Sequence, residues 1–111
     1  MTEKRDFSIN VWLDDLRDPA VFDKSGTEWF WAKTVPEAKS LLETAEVKRL
    51  SLDNDLGPDE EEGRRLVLWM AEFEVWPEGP ISVHSANPVA RDYMLGMLDR
   101  YAPDECDILH P

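Results

Sequence analysis

The stretch SINVWLDD, residues 8–15, decides the fold. Its first six residues are mostly apolar, and the run stops abruptly at two carboxylates, Asp14 and Asp15. Such a run is typical of a strand that is buried on both faces of a parallel sheet. Residues 47–52 repeat the pattern and end at Asp53, so the sequence predicts a second strand of the same kind.

Outward from these strands, the chain alternates further strands and helices. Period-two alternation predicts strands, and apolar stripes at helical spacing predict helices. The predicted order is strand 8–13, loop 16–28, strand 28–34, helix 35–45 capped by Thr34, strand 47–52, helix 60–74 with acids in its first turn, strand 81–85, helix 88–101 and irregular tail 102–111. The residues predicted to face inward from the last two helices are Leu66, Val67, Met70, Phe73, Val89, Tyr93, Met94, Met97, Leu98 and Tyr101. Parallel strands need crossover connections, so we expect a three-layer α/β domain with a four-stranded, mainly parallel sheet.

Length and composition are those of one small folded domain. The chain has 111 residues and no internal repeat, and residues 1–7 are predicted to be an N-terminal extension. An apolar fraction of 42% and five tryptophans supply a core, and we expect Trp12, Trp29, Trp31 and Trp69 to pack there rather than to stack on a base. The single cysteine, Cys106, excludes an intrachain disulfide and is predicted to have no role in the core.

The charge balance excludes whole classes of partner. Twelve basic against twenty-four acidic residues give a formal net charge of −12, which repels phosphate backbones and acidic membrane surfaces. Nonspecific duplex binding and membrane association are therefore not expected. A small phosphate ligand remains compatible with this charge, because a divalent cation and an arginine reverse the potential inside one pocket. Neither a signal peptide nor a membrane span is recognised, so the expected location is the cytoplasm.

Polar side chains follow three of the predicted strands. They are Asp14, Asp15, Asp53, Asp55, His84, Ser85 and Asn87. Ligands of open parallel sheets bind beyond the carboxyl ends of the strands, so these groups are expected at one edge. Clustered carboxylates raise one another's pKa unless a hard cation neutralises them, which predicts a site for Mg²⁺ or Mn²⁺.

Arg17 completes the predicted site, in which the groups other than the carboxylates have roles of their own. Arg17 can present its planar guanidinium to a phosphate. His84 can move a proton to or from a leaving oxygen near neutral pH. Ser85, Asn87 and the free amides of the helix that begins near residue 88 form a predicted anion site.

Purely structural roles are open for the same residues. The aspartates can cap turns, and His84 can be a hydrogen-bonded histidine at the end of an apolar strand. Arg17 can pair with a surface acid, and Asn87 can be a helix cap.

The motifs at these positions carry a family resemblance over residues 9–97. VWLDDLRDP at 11–19, LSLDNDLG at 50–57 and VHSANP at 83–88 resemble the cyclic-phosphate-processing receiver-like family, found in bacteria and phages. The chain also resembles signalling receiver domains, in which an acidic pair follows the first strand and a phosphorylatable aspartate follows the third. The resemblance implies a receiver-like, flavodoxin-like fold and a phosphoesterase activity that is itself a prediction for the family.

Two departures from these patterns shape the interpretation. Asn54 stands where the family usually has histidine, and an amide cannot exchange protons near neutral pH. More of the acid–base role is therefore expected to fall on His84. The usual fifth strand and its lysine are missing, because no lysine follows Lys48 and the tail offers only Ile108 and Leu109 as a strand remnant.

The leading hypothesis is a Mg²⁺-dependent phosphoesterase that acts on a cyclic phosphate of an RNA end or a small nucleotide. Asp14, Asp15 and Asp53 would hold the metal, and Arg17, Ser85 and Asn87 the phosphate. His84 would be the general acid or base, Asp55 would orient His84 or complete the metal shell, and Asp53 has an alternative role as nucleophile. The alternatives are a noncatalytic phosphate-binding or phosphoacceptor module, and an acidic interaction protein that engages a basic partner.

Overall fold

Four strands and four helices alternate along residues 8–110, the part of the chain that the computed structural model describes. They are β1 Ser8–Leu13, α1 Pro19–Phe22, β2 Phe30–Ala32, α2 Val35–Thr44, β3 Glu46–Leu52, α3 Gly63–Phe73, β4 Ile81–Val83 and α4 Pro88–Tyr101. The extension predicted at residues 1–7 lies outside the described residues.

The strands form one parallel sheet in the order β2-β1-β3-β4. At its carboxyl edge, Leu13 is level with Leu52, and Leu52 with Val83. The predicted four-stranded α/β fold is therefore confirmed, and the sheet is parallel throughout.

The apolar core lies on one face of the sheet. Ile9, Val11 and Leu13 alternate along β1 on this face, and buried residues of α2, α3 and α4 pack against them. The same face takes Leu50 and Leu52 from β3. All three of the longer helices thus cover one side of the sheet.

The opposite face of the sheet is less well covered than expected, since the sequence predicts strands that are buried on both faces. It carries Trp12, Ser51 and Ser82, which are level with one another across three strands. The β1–β2 loop lies over it, with Trp29 edge-on to Trp12 at a centroid distance of 5.4 Å. Arg49, on the same face, stays exposed. The sheet is therefore backed by a loop here and not by a long helix.

Two helix starts follow from local chemistry. Thr34 accepts a hydrogen bond from the Glu37 amide at 3.3 Å, which confirms the predicted cap of α2. The loop predicted at residues 16–28 contains the single turn of α1, which Asp18 caps by accepting from the Ala20 amide at 2.9 Å.

The third helix begins later than predicted, so the acids of residues 59–62 precede its first turn. Gly63 is the reason: its amide donates to the Asn54 carbonyl at 2.8 Å, and a Cβ on it would lie 1.8 Å from the Asp53 carbonyl oxygen. The start of α3 therefore touches the backbone that follows β3.

Several predicted core positions are wrong. Phe73 is exposed at the last turn of α3, where its ring lies 6.1 Å from that of Trp69. Val89, Tyr93 and Tyr101 are exposed on α4, whereas Leu66, Val67, Met70, Met94 and Leu98 are buried as predicted. Of the four tryptophans predicted to pack in the core, Trp12 is buried and Trp29, Trp31 and Trp69 are half-buried.

The tail after α4 is more structured than expected. Cys106, predicted to have no role in the core, is buried within it. Ile108 forms an isolated parallel bridge with Ile81, at the free edge of β4. This one bridge stands where a fifth strand would pair.

Candidate active site

Strand register brings three predicted site residues side by side. Because Leu13, Leu52 and Val83 are level, the next residue on each strand, Asp14, Asp53 and His84, reaches the same edge. The ladder continues one step beyond the strands: the Asp53 amide donates to the Leu13 carbonyl at 2.9 Å, and the His84 amide to the Leu52 carbonyl at 2.9 Å.

An acidic pocket of about 280 Å³ opens at this edge. Its lining residues are Asp14, Asp15, Leu16, Arg17, Asp53, Asp55, Gly57 and Ala86. One carboxylate oxygen each from Asp14, Asp15 and Asp53 lies within 4.8 Å of the other two. Arg17 is the one basic residue among the eight.

The donor set of this pocket fits a divalent metal ion. Asp14 and Asp53 are buried, and all three clustered ligands are carboxylates, as hard cations prefer. Burial raises the pKa of Asp53, and the charges of Asp14 and Asp55 raise it further, against the Asn54 amide and Arg17. A cation at this position would relieve that repulsion, as Mg²⁺ or Mn²⁺ does in carboxylate clusters.

Asp14 is held rigidly. Its Oδ1 accepts from the amides of Leu16 and Arg17, each at 2.9 Å, and its Oδ2 accepts from His84 Nε2 at 3.0 Å. Asp14 therefore caps the turn, a role that the sequence left open, and it also belongs to the carboxylate cluster.

His84 belongs to a hydrogen-bond chain that runs across the strands. Ser82 Oγ donates to Ser51 Oγ at 3.0 Å, and Ser51 Oγ lies 2.7 Å from His84 Nδ1. Ser51 then donates to Nδ1, which leaves the ring proton on Nε2 to donate to Asp14. The ring also stacks on Trp12 at 3.9 Å and 10°. Burial lowers the pKa of His84, although the hydrogen bond to Asp14 and the charge of Asp14 oppose the shift.

Asp55 and Asn54 are hydrogen-bonded to each other at 3.2 Å, but their other surroundings differ. Asp55 is exposed and lines the pocket, but it is not a partner of either ring nitrogen of His84, so the predicted orienting contact is wrong. Asn54 is buried, and its Oδ1 accepts from the Arg64 amide at 3.1 Å while its Nδ2 donates to Glu62 at 2.9 Å. Asn54 thus holds the start of α3.

Arg17 spans the rim of the acidic pocket. Its Nη1 donates to the His84 carbonyl at 3.4 Å and lies 3.9 Å from Asp14 Oδ2. The side chain remains one-third exposed, so the guanidinium is tethered but open to a ligand.

Ser85 and Asn87 shape the loop after β4. Ser85 Oγ accepts from the Asn87 amide at 3.1 Å, and Asn87 Oδ1 accepts from the amides of Val89 at 3.1 Å and Ala90 at 3.2 Å. The helix amides predicted as an anion site are therefore occupied by the Asn87 cap. Between these two residues, Ala86 lines the pocket.

Sequence reasoning missed Ser51 and Ser82, which form the hydrogen-bond chain to His84, and Phe22, whose ring centre lies 5.9 Å from the Arg17 guanidinium carbon. The signal for the serines was a polar residue inside each apolar strand, level with Trp12 on the face away from the core. Phe22 lies in a segment without periodicity, and no pattern marks it.

Comparison with known proteins identifies the family. No curated protein matches the chain. Within residues 8–110, no helix has the length and apolar character that a membrane crossing needs. The sequence model of the cyclic-phosphate processing receiver domain matches residues 9–100, and these include all three site-bearing loops. The chain therefore belongs to the cyclic-phosphate processing receiver domain family.

Proposed function

We propose that this protein is a metal-dependent phosphoesterase that opens a cyclic phosphate on an RNA end or a small nucleotide. The observation that carries the proposal is the cluster of Asp14, Asp15 and Asp53 oxygens within 4.8 Å of one another, beside Arg17 in one pocket. Family membership supports a phosphate substrate. Four carboxylates against one guanidinium repel a free phosphate, so phosphate binding should depend on the cation.

Asp14, Asp15 and Asp53 would hold the cation, and Asp55 would complete its shell. When bound, Mg²⁺ or Mn²⁺ supplies electrostatic stabilisation of the phosphoryl oxygens. Arg17 would donate to a nonbridging oxygen from the pocket rim. Ser85 and Asn87 would contribute through the loop that places Ala86 against the ligand.

Opening the ring forms a bond from a water oxygen to phosphorus and breaks one ester P–O bond, and the leaving oxygen takes a proton. His84 is the candidate donor by type, but its Nε2 proton is bonded to Asp14. We therefore propose His84 first as a positioning residue for Asp14. Proton transfer from it requires Nε2 to exchange Asp14 for the substrate.

The test combines metal response and turnover. Mg²⁺ or Mn²⁺ should raise Tm, because it binds the folded state alone, and Asp53→Asn should abolish the rise. Asp92→Asn is the matched control, since it removes the same charge from an exposed site on α4. Parent protein should hydrolyse at least one member of a panel of 2′,3′-cyclic nucleotides, 3′,5′-cyclic nucleotides and cyclic-phosphate-ended RNA. A metal-independent Tm in the parent would remove the metal site.

The second candidate is a noncatalytic module that binds phosphate or accepts it on Asp53. Asp53 directly follows β3, and of its two oxygens only Oδ1 has a hydrogen-bond partner among the described residues, the Asn54 amide at 2.8 Å. Against this candidate, no lysine follows Lys48 to contact an aspartyl phosphate. Metal binding without turnover of the panel would favour it.

A further inference from the structure

A second pocket adjoins the acidic one. It has a volume of about 360 Å³ and is lined by Trp12, Arg17, Phe22 and His84. It lies on the face of the sheet that the longer helices leave uncovered. Arg17 lines both pockets, so a ligand that reaches from one to the other passes its guanidinium.

The chemistry of this pocket differs from that of its neighbour. Three of its four lining residues are aromatic, and none is a carboxylate. Trp12 and His84 are already stacked on each other, whereas the Phe22 side chain is 58% exposed. The Arg17 guanidinium carbon lies 5.9 Å from the centre of the Phe22 ring. Exposed aromatic rings beside a cation form the kind of platform on which flat heterocycles stack.

We propose that this aromatic pocket holds the base of a nucleotide whose phosphate lies in the acidic pocket. The inference rests on the proposed function and adds to its phosphate site a separate site for the base of the substrate. Arg17 would contact the phosphate on one side and border the base on the other. Phe22 would supply the stacking surface, because it is the most exposed ring of the pocket.

Equilibrium binding in the presence of Mg²⁺ tests this assignment without turnover. The probes are adenosine 3′-monophosphate and glycerol 2-phosphate, two phosphomonoesters that the proposed reaction does not cleave. We expect the parent to bind the adenosine probe at least tenfold more tightly. Phe22→Ala should weaken that binding by about fivefold or more, the low end of the range for loss of one stacked ring, and leave the glycerol probe unchanged.

Two further variants control for the fold of α1. Val21→Ala truncates the neighbouring residue of the same helix, which is 56% exposed and does not line the pocket, so its affinities should equal those of the parent. Phe22→Tyr keeps an aromatic ring and should retain the base preference.

Several outcomes would overturn the proposal: no preference for the adenosine probe in the parent, no measurable binding of either probe, or equal losses for both probes in Phe22→Ala. The proposed function fails separately. If the parent turns over no cyclic phosphate but prefers the adenosine probe, and Phe22→Ala loses that preference, the proposed function fails and the base pocket stands. If the parent turns over a cyclic phosphate without preferring the adenosine probe, only the base pocket is overturned.

Discussion

Replacing His84 by glutamine and by asparagine separates two roles of the imidazole. The glutamine amide nitrogen reaches roughly the position of Nε2 and can still donate to Asp14, whereas the asparagine amide reaches only that of Nδ1, beside Ser51. Neither side chain exchanges protons near neutral pH. The pair therefore keeps or removes the contact with Asp14 while both members remove acid–base chemistry.

The structure sets the size of the effect. The Nε2–Oδ2 distance is 3.0 Å, and the Asp14 side chain is only 1% exposed. A hydrogen bond to a charged group contributes about 1.5–3 kcal/mol, which corresponds to roughly 10- to 150-fold in a binding constant. Loss of a residue that orients a metal ligand costs about 10- to 100-fold in metal affinity, in agreement. We expect His84→Asn to weaken Mn²⁺ binding by this factor and His84→Gln to stay within about threefold of the parent.

Titration calorimetry with Mn²⁺ measures the affinities, and turnover is measured alongside. If His84 also acts as general acid or base, both variants lose about 10²–10⁴ in rate, although His84→Gln still binds Mn²⁺. If it acts by positioning alone, His84→Gln keeps most of the rate at saturating metal. Parent-like Mn²⁺ affinity in a folded His84→Asn variant would refute the positioning role.

Three other outcomes are expected. Gly63→Ala should lower the free energy of unfolding by about 3 kcal/mol, or Tm by roughly 12 °C, because the new Cβ would meet the Asp53 carbonyl. Gly96→Ala has open space around it in α4 and should raise the free energy of unfolding by about 0.5–1 kcal/mol. Equal effects of the two variants in thermal melts would contradict this prediction. Hydrogen bonds from Trp29 and Ser25 hold the pKa of Asp23 below its ordinary value. Its stabilising contribution is thus complete above about pH 4 and is lost as pH falls through the lowered pKa, so Trp29 emission should change with acidification in the parent and not in Asp23→Asn. Acetyl phosphate should leave no durable label on Asp53 by mass spectrometry, and stable incorporation would promote the phosphoacceptor module.

Much of the scaffold could be predicted from local pattern. The cap at Thr34 and the apolar stripe of α2 have direct sequence signals, and the structure has both. The start of α3 could not be predicted from such signals. A close backbone contact between Gly63 and Asp53 determines where the helix begins, and the acidic residues before it do not. Phe73 fits the helical period, but it lies on the last turn, where the helix has already left the core.

Local sequence patterns likewise predicted only some features of the candidate site, and three-dimensional contacts decided the others. Capping and clustering were both open for Asp14, and three-dimensional contacts show that it does both. The anion site expected at the start of α4 depended on free amides, and the Asn87 side chain takes them. Cys106 lies within ten residues of the C-terminus, yet packing of the tail against β4 buries it.

The sequence by itself determined the alternation of strands and helices and the gathering of Asp14, Asp15 and Asp53. Both depend on local periodicity and on a rule that holds for parallel sheets in general, since all their strands end at one edge. The tertiary structure alone decided that His84 faces Asp14 and that Phe22 borders an aromatic pocket. The first depends on the register of distant strands, and the second on the path of a loop without a periodic pattern, and neither is encoded in neighbouring residues.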